Sequence, residues 1–264
     1  LNAVGTIVLS QSISSTTGAL SVALNAGGAV TMNSIISTNG GTLAIVAGGA
    51  VTQGGASTLT IGGTTSVTTG NAAIALVGAG TNNFVGAVTL TNTGAFDVSV
   101  GSNTALTLGA VSAGQNFSAT SSSSINVTNT INTLAGANFG IVTLNGAAGL
   151  TIGALGDITS DGAVNLTGGG SAGISTAGDI TTTGDVVNFI SATTMDGSIA
   201  VDTGVGAGDI NFASTLDLFF YNLTLTAGTG SVAFTGPVGD APGNAIGTIT
   251  INSAFNVTAA SINA

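Results

Sequence analysis

Among the side chains of this chain, only ten aspartates and Tyr221 can ionise; Lys, Arg, His, Glu and Cys are absent. This short inventory decides most of the available chemistry. Paired carboxylates can act as acid and base on a glycosidic bond, and the candidate pairs by spacing are Asp157 with Asp161 and Asp196 with Asp202. Ser-His-Asp and Cys-His catalysis is excluded without His or Cys. Thiolate metal sites are excluded for the same reason. Nucleic acid is excluded as a partner, because no Lys or Arg exists to neutralise phosphates. Nine of the ten Asp lie after residue 150 and are spaced out, several in Gly-Asp dipeptides that read as solvated turns. The chain is therefore expected not to be an enzyme and to need no cofactor, with calcium as the one ion its oxygen ligands suit.

The elements that would position these groups follow from composition. Charged residues make up 4% of the chain, against about 25% in an ordinary soluble domain, so Thr, Ser, Asn and Gly must wet the surface. A core is still expected, since 44% of residues are apolar and disorder requires low hydrophobicity with high charge. Apolar runs are broken well before the ~20 residues a membrane-spanning helix needs, so no transmembrane segment is expected. The lack of Cys is compatible with export through an envelope. No initiating Met or signal segment opens the sequence, so residues 1–264 read as one continuous piece of a longer chain.

Abundant Gly, Thr, Val, Ile, Ser and Asn disfavour helix throughout. Short alternating runs such as Leu20-Ser21-Val22-Ala23-Leu24, Ser124-Ile125-Asn126-Val127-Thr128 and Asn222-Leu223-Thr224-Leu225-Thr226 read as strands with one apolar face. Gly-Gly, Asn-Gly and Asp-Gly pairs between them mark tight turns. The phenylalanines add a period: Phe96, Phe117 and Phe139 follow one another at a nearly even interval, and Phe189, Phe212, Phe234 and Phe255 repeat it. The wider gap from Phe139 to Phe189 leaves room for two slightly longer repeats. This spacing predicts an all-β, single-stranded parallel β-helix, or β-solenoid, of about 12 coils of roughly 22 residues. Stacked coils would place the seven rings in one interior ladder, ~4.8 Å apart.

The stretches Gly208-Asp209-Ile210-Asn211-Phe212, Asn222-Leu223-Thr224-Leu225-Thr226 and Gly247-Thr248-Ile249-Thr250-Ile251 resemble the β-strand repeats of filamentous-haemagglutinin-like bacterial exoproteins. Gly156-Asp157-Ile158-Thr159 and Gly178-Asp179-Ile180-Thr181 are weaker copies. The resemblance implies a right-handed coil, exported by a two-partner or autotransporter route and displayed at the cell surface as an adhesin. The total lack of Lys and Arg departs from such repeats and leaves a trypsin-like protease no cleavage site.

Pectin-degrading enzymes share this architecture, but they bind acidic polymers through cationic groups absent here. The glycine-rich nonapeptide of calcium-binding β-rolls is also missing. Thr-x-Thr pairs at Thr58, Thr89, Thr128, Thr181, Thr224 and Thr248 recur too irregularly for an ice-binding rank. Asn-x-Ser/Thr sequons occur at Asn116, Asn126, Asn165, Asn222 and Asn256. The sequence thus points to a secreted structural or adhesive rod that self-associates into fibres or meets a cell-surface receptor. The alternative is a solenoid that binds glycan, calcium or ice on one flat face.

Overall fold

Strands of two to seven residues cannot stand alone, so the stability of this chain has to come from stacking successive turns. The computed structural model describes residues 1–78, 82–134, 140–239 and 247–263, and among them there is no helix. The chain winds as a parallel β-solenoid of about eleven turns with three strands in most turns. Strands pair with the strands one turn before or after them, always in parallel. The first face carries Val22–Ala26, Leu43–Ala47 and Thr65–Thr69; the second carries Val30–Met32, Val51–Gln53 and Ile74–Leu76; the third carries Ile36–Ser37 and Leu59–Ile61.

One column of the second face shows the register. Ile7, Val30, Val51, Ile74, Val98, Phe117, Val142, Val164, Val187, Ile210, Val232 and Val257 pair in succession, eleven steps without a break. All but Phe117 are β-branched, the residue type whose side chain fits a pleated, half-buried surface. Two residues on, Leu76, Val100, Ala119, Leu144 and Leu166 lead into Phe189, Phe212 and Phe234. Both columns point inward, and the residues between them point to solvent. At ~4.8 Å per rung, eleven steps make a rod about 53 Å long.

The turn length is uneven. The turn from Val98 to Phe117 is short and the next, from Phe117 to Val142, is long, the difference being absorbed at corners while the strand register holds. Averaged from Ile7 to Val257, a turn uses slightly more chain than the even period of the phenylalanines suggests. The molecule makes about eleven turns, close to the twelve expected.

Corners are closed by two devices. Where the chain leaves a strand, a buried hydroxyl donates back to the turn: Thr38 to the Gly41 carbonyl (2.7 Å), Thr69 to Ala72 (2.6 Å), Thr182 to Asp185 (2.6 Å) and Thr203 to Gly208 (2.7 Å). These bonds let Thr sit inside a dry core, where an unpaired hydroxyl would be costly. The second device is glycine at positions where one turn lies flush on the next. A Cβ on Gly48 would overlap the Gly27 carbonyl oxygen, and one on Gly27 would overlap that of Val4.

Candidate functional site

Three of the aspartates are spent on the ladder itself. Asp157, Asp179 and Asp209 each stand immediately before the first inward residue of a strand, Ile158, Ile180 and Ile210. Each carboxylate accepts a backbone N–H from the next turn: that of Asp179 at 2.9 Å, of Ala200 at 2.7 Å and of Ser231 at 2.7 Å. Asn116 and Asn222 serve the same purpose, accepting the N–H of Ile141 and Thr248, and Ser21 and Ser198 do so with a hydroxyl. The Gly-Asp-Ile signature is thus a coil-to-coil clip. It requires a short acceptor, which Asp, Asn and Ser all supply.

Neither candidate acid–base pair converges on a common point. Asp157 clips the next turn, whereas Asp161 accepts the Thr183 hydroxyl at 2.9 Å. Asp202 accepts the Gly204 N–H at 2.7 Å within its own turn. Among the described residues no group of three or more carboxylates gathers. The Thr-x-Thr pairs form no single rank: Thr224 pairs with Thr250, but Thr181 pairs with Asp202 and Thr89 with Ser66. Of the sequon asparagines, Asn165 accepts from Asn188 (2.9 Å), which accepts from Asn211 (3.0 Å), an amide ladder on the outer second face.

The seven phenylalanines do not share one ladder. Phe189, Phe212 and Phe234 stack on consecutive turns, with ring centroids 4.5 Å and 5.3 Å apart and planes within 12°. Phe117 is buried but belongs to the neighbouring column, between Val98 and Val142. Phe96 and Phe255 stand just before the strands that begin at Val98 and Val257, in corners, and are 43% and 84% exposed. Phe139 lies outside the described residues. Uneven turns carry evenly spaced residues out of register: the turn from Val98 to Phe117 is short, and those from Phe117 to Val142 and from Val232 to Val257 are long. Phe84, outside the predicted set, is buried over Ile61 on the third face.

One concavity among the described residues is a groove of about 400 Å³ lined by Gly78, Asn82, Gly101, Ser102, Thr120 and Asn145 among others. Of its lining residues, Asn82 belongs to a reciprocal amide pair with Gln53. Gln53 Nε2 donates to Asn82 Oδ1 (2.7 Å) and Asn82 Nδ2 returns a bond to Gln53 Oε1 (2.8 Å). The same two side chains also satisfy the Leu59 and Gly78 N–H groups and the Leu76 and Ser57 carbonyls. Sequence reading misses this pair because Gln53 and Asn82 are more than one turn apart in the chain. The groove offers hydroxyls and amides but no ionisable group, so it can hold a neutral polar molecule and cannot transfer a proton.

A family model described as repeats of unknown function (DUF5649) matches residues 20–91. The match runs from the first-face strand Val22–Ala26 to the first-face strand Val88–Asn92, three whole turns. The chain is a repeat protein with a β-solenoid fold. Comparison with curated proteins finds no match, nor does comparison with solved structures.

Proposed function

We propose that this chain is a non-enzymatic, extracellular structural element of a bacterial surface exoprotein, a stiff rod that carries a binding region away from the cell or extends into a fibre. The observation that carries the reading is the unbroken register of eleven steps, in which the carboxylates serve as clips between turns. Such a ladder is stiff along its axis because every turn hydrogen-bonds its neighbours. Export to the cell surface fits a chain that gives trypsin-like proteases no site.

Sedimentation and negative-stain imaging across a concentration series test this. End-to-end growth supports the fibre, and short rods at every concentration leave the spacer form. Round particles with no long axis refute both. A second reading, binding of a neutral glycan, is favoured by the polar groove beside Asn82 and Thr120. A glycan array probed with the native chain and with Thr120→Val distinguishes it.

A further inference from the structure

Two corners of this solenoid share a backbone pattern and differ in chemistry. Between the third and first faces, Ile36-Ser37-Thr38-Asn39-Gly40-Gly41-Thr42-Leu43 and Leu216-Asp217-Leu218-Phe219-Phe220-Tyr221-Asn222-Leu223 align position by position. In each the sixth residue donates its N–H to the third: Gly41 to Thr38 at 3.0 Å and Tyr221 to Leu218 at 2.9 Å. In each the fourth residue is left-handed, Asn39 at φ 44° and Phe219 at φ 48°. Asn tolerates that conformation, whereas for a bulky residue it is strained.

The fold therefore already possesses an unstrained way to turn this corner, and at residues 219–221 it does not use it. Phe219 and Phe220 are exposed, Phe220 by 71%, and Tyr221 is only partly buried. Phe219 and Phe220 stand at one exposed tip, and the next residue, Tyr221, packs partly against the core. Strain retained at an exposed position of this kind points to binding and not to packing.

The neighbouring turn says what is bound. Thr194 pairs with Asp217, and Ser198 accepts the Asn222 N–H, so the corner at Met195–Gly197 lies one rung from the aromatic tip. It presents Asp196, which is exposed and whose carboxylate has no hydrogen-bond partner among the described residues. Aromatic faces are electronegative and attract cations. Two exposed Phe residues one rung from a free carboxylate, on a chain of net charge −10 without a single Lys or Arg, complement a cation that must come from another molecule. A second copy of this chain brings only more negative charge.

We propose that Phe219, Phe220 and Asp196 form a docking site for an arginine- or lysine-bearing segment of a partner protein. The inference rests on the fold alone and stands whether or not the rod forms fibres.

The test uses the full chain in isothermal titration against a short Gly-Arg repeat peptide, a Gly-Ser peptide of equal length and a neutral oligosaccharide. The key variant is the double substitution Phe219→Asn with Phe220→Gly, which installs the chemistry of the Asn39-Gly40 corner. The expected result is binding of the Arg peptide alone, lost at least tenfold in the double variant and about threefold in Asp196→Asn, with the double variant melting at or above the native temperature. Equal binding of the Arg peptide by the double variant overturns the site. So does oligosaccharide binding that the double variant abolishes. A lower melting temperature in the double variant overturns the argument that the aromatics are not needed for folding.

Discussion

At the residue scale, identity matters only where one turn meets the next. Phe212 sits between two stacked rings and is 1% exposed, while Phe255 stands in a corner. Phe212→Ala is expected to cost about 3–5 kcal/mol in urea unfolding, through lost burial and a cavity the stack cannot close. Phe255→Ala should change it by less than about 0.5 kcal/mol. The clip makes a chemically sharper prediction. Asp179→Ala removes the acceptor for the Ala200 N–H and is expected to lower stability by about 0.5–1.5 kcal/mol, whereas Asp179→Asn keeps an oxygen there and retains most of it. Equal losses in the two variants, read from their urea midpoints, would show that charge and not the hydrogen bond is what the position supplies.

At the element scale, each strand is fixed by alternation and each corner by what can lie flush on its neighbour. Gly48→Ala pushes a methyl group into the Gly27 carbonyl and is expected to destabilise by about 1–3 kcal/mol, while Gly55→Ala, where a Cβ meets open space, should be near neutral. A denaturation series on the two variants checks the contrast. Strands, their inward faces and the solenoid class are legible in the sequence, because period-two alternation and Gly-rich punctuation are local signals. The register is less so. A corner that gains or loses a few residues leaves the strands in step but shifts the spacing of any marker residue, and this displaces Phe96 and Phe255 from the column of Phe212. The Gly-Asp-Ile turns are visible as turns, but the acceptor role of their carboxylates depends on a partner one turn away. The Gln53–Asn82 pair and the likeness of the Asn39 and Phe219 corners carry no sequence signal that survives without the backbone.

At the scale of the whole molecule, a narrow coil of small β-branched residues builds a long object without Lys, Arg or Cys, and so without side-chain ion pairs or disulfides. Its stability is the sum of turn-to-turn interfaces. The central claim is that equivalent positions advance along one axis by a constant rise per turn. Because the chain has no Cys, pairs of spin labels can be placed by substitution on the outer second face. Thr31, Thr143, Asn211 and Thr258 occupy one outward column, with Thr143 five rungs, Asn211 eight and Thr258 ten from Thr31. Double electron–electron resonance should give separations from position 31 of about 24, 38 and 48 Å, rising linearly with rung number. A separation between positions 31 and 258 no greater than that between 31 and 143 would mean that the chain folds back on itself, and the solenoid would be wrong.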